Sequence, residues 1–125
     1  MKLQESGEMY LESILLLSKK HAYVRSIDVA LFTGYSKPSV SRAVGLLKAA
    51  NLISVSGEGY LSLTEEGMRI AEQIYERHIL LTEVLIKLGV PEEIASRDAC
   101  RMEHVISETS FTALKQYLSK RETTD

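Results

Sequence analysis

The 125-residue chain is short of several things, and each shortage excludes a class of protein. It has a single cysteine, Cys100, which rules out an internal disulfide and leaves that thiol as a buried side chain, a reactive one or a metal ligand. No apolar run approaches the roughly 18–20 residues of a membrane span. The opening MKLQESGEMYLESILLL has neither the basic segment nor the small-residue cleavage site of a secretory signal, so a cytoplasmic protein is expected. No repeat, low-complexity stretch or linker interrupts the chain. A nucleophilic triad, a phosphate-binding loop and an H-E-x-x-H motif are all missing, which leaves hydrolytic catalysis nothing to act through, and no enzyme is expected. The length suits one domain or two small, mutually packed ones and excludes a large multidomain enzyme.

What is present is the composition of a folded domain, 45% hydrophobic and 26% charged. The formal net charge of -2 conceals an asymmetry. Residues 19–50 hold six basic side chains (Lys19, Lys20, Arg25, Lys37, Arg42, Lys48) against Asp28 alone, a net of +5, whereas Glu58 to Glu108 carries a net of -6. The first segment can attract phosphates and the second can hold cations, unless both are ordinary solvated faces.

Apolar spacing of three and four predicts a first helix from about Ser6 to Lys19. A second starts near Ser26-Ile27-Asp28, carries Val29, Ala30 and Leu31, and stops near Gly34. Ser36 is placed to cap a third helix over about Lys37 to Ala50, with Pro38 in the first turn, where its missing N–H costs nothing. In that helix Val40, Ala43, Val44 and Leu47 form the apolar stripe, leaving Ser39, Ser41 and Arg42 to point elsewhere. The period then changes to two in Leu52–Ser56 and Tyr60–Leu63 around Gly57-Glu58-Gly59, a β-hairpin. Three helices and a hairpin in this order read as a winged helix-turn-helix, whose third helix enters the major groove of double-stranded DNA.

Thr64-Glu65-Glu66 opens a helix of about 24 residues running to Gly89. Another restarts with Pro91 at its first position and carries Ile94, Ala95, Ala99, Met102 and Val105. Ser107 or Ser110 begins a last helix through Leu114 and Leu118, with a frayed RETTD end. The fold class is thus mainly α with a small β-hairpin: a DNA-binding domain over 1–63 and a helical domain over 64–125.

Cys100, Glu103 and His104 stand at i, i+3 and i+4, which puts a thiol, a carboxylate and an imidazole on one face of a helix. A mid-row divalent ion accepts such a mixed set, whereas magnesium or calcium asks for oxygen alone and structural zinc for more cysteine. The same triplet also reads as Cys100 in the core with Glu103 and His104 at the rim. His78 in the long helix, and Met9 with Glu12 at i, i+3 on the first, strengthen the metal reading. Each alone has a plainer one: His78 hydrogen-bonded, Met9 in the core, Glu12 solvated.

The segments EMYLESI at 8–14, SKPSVSRAV at 36–44, LTEEG at 63–67, ERH at 76–78 ahead of a leucine-rich stretch ending in LGV, and DACRMEHVIS at 98–107 carry a likeness over nearly the whole chain. Together they resemble the diphtheria-toxin repressor family of metal-dependent transcriptional repressors, which includes the manganese transport regulators. The resemblance implies a winged-helix repressor that dimerises through its helical second domain, in the short two-domain form without the SH3-like addition of the larger iron-responsive members. By position, Met9, Cys100, Glu103 and His104 fall on the primary metal site of the iron branch. Glu12 and His78 fall where the manganese branch completes a binuclear site, although that branch has Asp in place of Met9 and Glu in place of Cys100. Thr82 and Ser96 occupy two positions of the iron branch's ancillary site without being ligands of its type, which leaves His78 to serve a second ion with Glu12 and Glu103.

The resemblance makes the cofactor manganese(II) or iron(II), with zinc(II) and cobalt(II) also compatible with the donor set. The ion ties Met9 and Glu12 to the ligands of the second domain, and so fixes two recognition helices of a homodimer roughly 34 Å apart on a palindromic operator of metal-uptake genes. Ser36, Lys37, Pro38, Ser39, Ser41 and Arg42 are expected at the DNA, Arg42 on a guanine or phosphate and Lys37 on phosphate. Neither a membrane nor a small-molecule substrate is expected as a partner. Two rival readings are a winged-helix regulator without metal control, Cys100 being structural or redox-active, and a small metalloenzyme that would need an open coordination position.

Overall fold

A computed structural model describes residues 5–124, which form α1 (Glu5–Lys20), α2 (Ser26–Thr33), α3 (Lys37–Ala49), the strands β1 (Ile53–Val55) and β2 (Leu61–Leu63), α4 (Glu65–Lys87), α5 (Glu92–Met102) and α6 (Glu108–Thr124). The chain divides into two compact units, one extending to Gln73 and the other starting at Ile74, so the division falls inside α4.

In the first unit α1 packs on α2, α3 and β2, and Leu11 and Ile14 are its most deeply buried side chains. Acids in its first turn and Lys19 and Lys20 in its last complement the helix dipole. The cap of α2 falls one residue before the expected Ser26. Asp28 reaches back so that the Arg25 N–H donates to its Oδ2 at 2.8 Å, and Arg25, in extended conformation, becomes the N-cap. Gly34 ends the helix as expected, with φ 79° and its N–H bonded to the Ala30 carbonyl. Ser36 caps α3, its Oγ accepting the Ser39 N–H at 3.3 Å. Val40 and Leu47 of the expected stripe are buried, Ala43 and Val44 only partly.

The hairpin pairs Ile53 with Leu63, Ser54 with Ser62 and Val55 with Leu61. Ile53 and Leu61 point into the core while Ser54 and Ser62 face solvent, the period-two alternation that the sequence displays. On its other side the Leu61 N–H donates to the Val24 carbonyl at 2.7 Å, which fastens the segment before α2 to the wing. The base of the hairpin is closed separately. Thr64 N–H donates to the Leu52 carbonyl at 3.0 Å, and Thr64 Oγ1 donates to the Asn51 carbonyl at 2.9 Å while accepting the Gly67 N–H at 3.1 Å. Gly67 is obligatory here, because a Cβ built on it would lie 1.9 Å from the Leu52 carbonyl oxygen.

In the second unit α4 ends in a Schellman motif: Gly89, at φ 102°, donates to the Ile86 carbonyl and Val90 to that of Leu85. Pro91 is the N-cap of α5 and not its first helical residue, since its carbonyl already accepts the Ala95 N–H at 2.9 Å. Of the two serines proposed to open α6, Ser107 does so, its Oγ accepting the Ser110 N–H at 3.1 Å. The backbone of the expected frayed end is helical through Thr124, and Asp125 lies outside the described residues. Ile74, Leu81, Ala95, Ala99, Phe111 and Leu118 form this unit's core. The apolar pattern is wider than the buried one: Ile94 and Val105, both carried by the expected fifth helix, are exposed, as are Ile79, Ile86, Leu88 and Tyr117. Among the described residues no helix is long and apolar enough to cross a membrane.

Candidate metal centre and nucleic-acid interface

Of the expected triplet, Cys100 stands within α5, which stops at Met102, so Glu103 and His104 lie just past its end. Glu103 is the C-cap, still in right-handed helical conformation with its N–H on the Ala99 carbonyl, and His104 follows in a turn. The carbonyls that follow this helix end are met from far along the chain. Arg77 of α4 sends Nη1 to the carbonyl oxygens of Glu103 (3.2 Å) and Ile106 (2.9 Å), and Nη2 to Glu108 Oε2 at the start of α6 (2.9 Å). Its guanidinium also lies 5.4 Å from the centre of the Phe111 ring.

This turn delivers a carboxylate into the interior. The Glu103 side chain is 0% exposed, its Oε2 lies 2.9 Å from His78 Nδ1, and its Oε1 lies 3.3 Å from Nε2 of His104, whose side chain is 5% exposed. The second of these contacts lacks hydrogen-bond alignment, so Glu103 Oε1 is a buried anionic oxygen that makes no hydrogen bond. A buried carboxylate between two imidazoles is costly unless it is matched by positive charge. Carboxylate oxygen and imidazole nitrogen are donors that a divalent transition ion accepts, so Glu103 and His104 fit such an ion in their chemistry. The reading that put Glu103 at the rim is therefore overturned. Thr82, beside the site in sequence, donates its hydroxyl to the His78 carbonyl at 2.7 Å.

The remaining expected ligands are placed as follows. Cys100 is exposed on α5, which rules out its role as a small core residue. On α1, Glu12 is 7% exposed, against the reading that left it solvated, and the part-buried Met9 has its sulfur 3.7 Å from Ser13 Oγ. Arg77 carried no signal in spacing, because its partners lie 26, 29 and 31 positions away.

In the first unit α3 presents Lys37, Pro38, Ser41 and Arg42 to solvent, with Ser39 half-buried. Ser36 is exposed but engaged: besides capping the helix it donates its hydroxyl to Ser39 Oγ at 2.9 Å, so these two serines first serve the helix start. Beside the hairpin Tyr23 stacks on Tyr60 at 4.6 Å, and the Arg25 guanidinium covers the same ring at 4.8 Å. That exposed aromatic and cationic surface has no motif in sequence, since it joins the segment before α2 to the wing.

A winged helix-turn-helix with a cationic third helix, in a chain whose second unit buries a carboxylate between imidazoles, defines a metal-dependent transcriptional regulator. Residues 2–61 match the family model described as the iron dependent repressor N-terminal DNA binding domain, and residues 64–125 match that of its metal binding and dimerisation domain. The chain belongs to this family, the diphtheria-toxin repressor family, and is a metal-dependent repressor of the manganese- and iron-regulator type. It is 35% identical over 111 residues to the transcriptional regulator MntR of Escherichia coli, covering 89% of this chain and 72% of that one. To the iron-dependent repressor IdeR of Mycobacterium bovis it is 33% identical over 108 residues, covering 86% of this chain and 47% of the relative. The solved manganese regulator SloR superposes with a TM-score of 0.82 at 25% identity, over 95% of this chain and 55% of SloR. The chain thus spans about half the length of SloR and IdeR. A manganese-dependent repressor solved with manganese shares the fold, with a TM-score of 0.84 at 24% identity over 90% of this chain and 52% of that one.

Proposed function

We propose that the protein is a cytoplasmic, homodimeric repressor that binds a palindromic operator of manganese- or iron-uptake genes when loaded with manganese(II) or iron(II), and that it catalyses no reaction. The observation that carries this reading is the Glu103 carboxylate, fully buried beside His78 and His104 with one oxygen left without a hydrogen bond. A protein that maintains such a group without a cation gives up stability, and the ion returns it. His78, Glu103 and His104 are the proposed ligands from the second unit. Met9 and Glu12 on α1, and Cys100 on α5, complete the set that the family resemblance assigns. An ion taking ligands from both units would select the DNA-competent arrangement by its differential affinity for it. The domain division is proposed at residues 63 and 64.

On DNA, Arg42 is proposed to read a guanine or a phosphate, Lys37 and Ser41 to contact the backbone, and Pro38 to approach base edges, with Ser36 and Ser39 holding the helix start. The exposed Ile79, Ile86, Leu88, Ile94, Val105 and Tyr117 supply apolar surface for dimerisation.

The test is an anaerobic calorimetric titration of the reduced, metal-free protein with manganese(II) and with iron(II), repeated on His104→Ala, followed by operator binding with and without metal. Saturable binding that the substitution removes, and DNA binding that requires the ion, are expected. One or two ions per chain distinguishes the iron-like from the manganese-like arrangement. A wild type that binds no metal would leave a winged-helix regulator with another signal.

A further inference from the structure

The turn from Glu103 to Ile106 holds two of the proposed ligands and lies beyond the end of α5, where the N–H groups of Val105 and Ile106 both donate to the Met102 carbonyl, at 3.1 and 3.0 Å. A turn of this kind has to be ordered before its side chains can act together, and that ordering costs conformational entropy. To these main-chain bonds a single side chain adds three more. Arg77 Nη1 bridges the carbonyls at both ends of the turn, Glu103 and Ile106, and Nη2 anchors on Glu108, the first residue of α6. The Arg77 side chain is 17% exposed, so these bonds form largely out of water, and the planar guanidinium suits a three-acceptor bridge that an ammonium cannot reproduce. Its neighbour on α4, His78, meets the Glu103 carboxylate at 2.9 Å. Two consecutive residues of one helix therefore hold the main chain and the side chain of the same ligand.

From this geometry we infer that Arg77 is a positioning residue for metal binding: through the Glu103–Ile106 turn it presents Glu103 and His104 already arranged for the ion. It touches no metal itself. The inference rests on the metal-responsive reading above, and extends it by making affinity depend on a cation that is outside the ligand set. Without Arg77 the turn keeps only its main-chain bonds, and part of the ion's binding free energy goes to fixing it more tightly.

The experiment is a manganese(II) titration of the full, metal-free chain by calorimetry, on the wild type, Arg77→Met, Arg77→Lys, Glu108→Gln and His104→Ala. Thermal melts and the electron paramagnetic resonance spectrum of bound manganese(II) accompany it. Removing groups that orient ligands typically lowers metal affinity about 10–100-fold, and that loss is expected for Arg77→Met. Arg77→Lys should recover only part of it, and Glu108→Gln should lose less, in the same direction. The manganese-induced rise in thermal midpoint should shrink with affinity, and the zero-field splitting of the bound ion should change. A merely structural role would lower the midpoint equally with and without manganese and leave affinity and spectrum as they are. Should Arg77→Met fail to fold, Arg77→Lys and Glu108→Gln carry the test. Affinities within about twofold of wild type in the folded variants would overturn the inference while wild-type binding, lost in His104→Ala, upheld the metal reading. No binding by the wild type would remove both.

Discussion

Replacing Glu103 with glutamine should change stability with opposite signs in the absence and presence of metal. The Glu103 side chain has no solvent exposure, one oxygen faces His78 at 2.9 Å, and the other makes no hydrogen bond. The effective penalty for burying an ion is several kcal/mol, against which a hydrogen bond to a charged group returns about 1.5–3 kcal/mol. Glutamine keeps the volume and a neutral hydrogen bond worth about 0.5–1.5 kcal/mol, and abolishes the buried charge. The metal-free variant should therefore equal or exceed the wild type, by up to about 3 kcal/mol, each kcal/mol appearing as a rise of about 2–8 °C in thermal midpoint. With manganese(II) at about 1,000 times its Kd the wild type gains about 4.1 kcal/mol, whereas the variant, lacking the anionic oxygen, gains little, and the order reverses. Thermal melts followed by circular dichroism, with chelator and with manganese(II), read both signs. A metal-free Glu103→Gln protein less stable than wild type by more than about 1 kcal/mol would refute the reasoning, since the carboxylate would then be a structural partner of His78 and not a group held for a cation.

Gly67→Ala forces a Cβ against the Leu52 carbonyl, and denaturant titration should register a loss of at least the roughly 1–3 kcal/mol typical of overpacking; an unchanged midpoint would mean that the helix start shifts freely. Arg42→Ala should weaken operator binding, either by about 1–3 kcal/mol with relaxed sequence preference or uniformly with a salt slope lower by about one, which fluorescence anisotropy at several salt concentrations tells apart. Unaltered affinity would remove Arg42 from the interface. Cys100→Ala should lower manganese(II) affinity less than His104→Ala does, because Cys100 is exposed whereas the Glu103 and His104 side chains are almost fully buried; equal losses would make the thiol a principal ligand. Arg69 donates to Glu66 and holds its carboxyl below the usual range, so whatever the pair contributes is present above the unfolded carboxylate value and fades as pH falls through the lower folded one. Both groups are exposed and screened, so Glu66→Gln should leave the midpoint at neutral pH nearly unchanged, and a loss as large as that of a helix cap would contradict this.

The parts of the fold legible in sequence are those decided within a few residues. Ser36 and Pro38 start α3, Gly34 and Gly89 end helices by accepting positive φ, and the alternation of Ile53, Ser54 and Val55 fixes the hairpin's faces, all by local chemistry. What could not be read depends on groups far apart in the chain. Periodicity continues past Met102, whereas α5 ends there and the carbonyls of Glu103 and Ile106 are taken up by Arg77, 26 and 29 positions away. Apolar spacing also cannot tell a buried position from an exposed one, which is why Ile94 and Val105 belong to the apolar pattern of the expected fifth helix and yet are exposed. The identities of the candidate ligands were legible from donor chemistry and family likeness, whereas the depth of Glu12 and Glu103 needed the packing.

The closure of the hairpin at its base bears on how such a regulator can diversify. Because Thr64 and Gly67 fasten the start of α4 to Asn51 and Leu52, the loop between β1 and β2 leaves from and returns to a point that is already fixed. Residues 57–59, which lie outside the Tyr60 stack on Tyr23 and Arg25, can then be lengthened, shortened or recoded without altering the path of the recognition helix before them or the start of the long helix after them. Drift at the tip of the wing leaves the framework intact, and the loop is a natural graft site for engineering a new target preference.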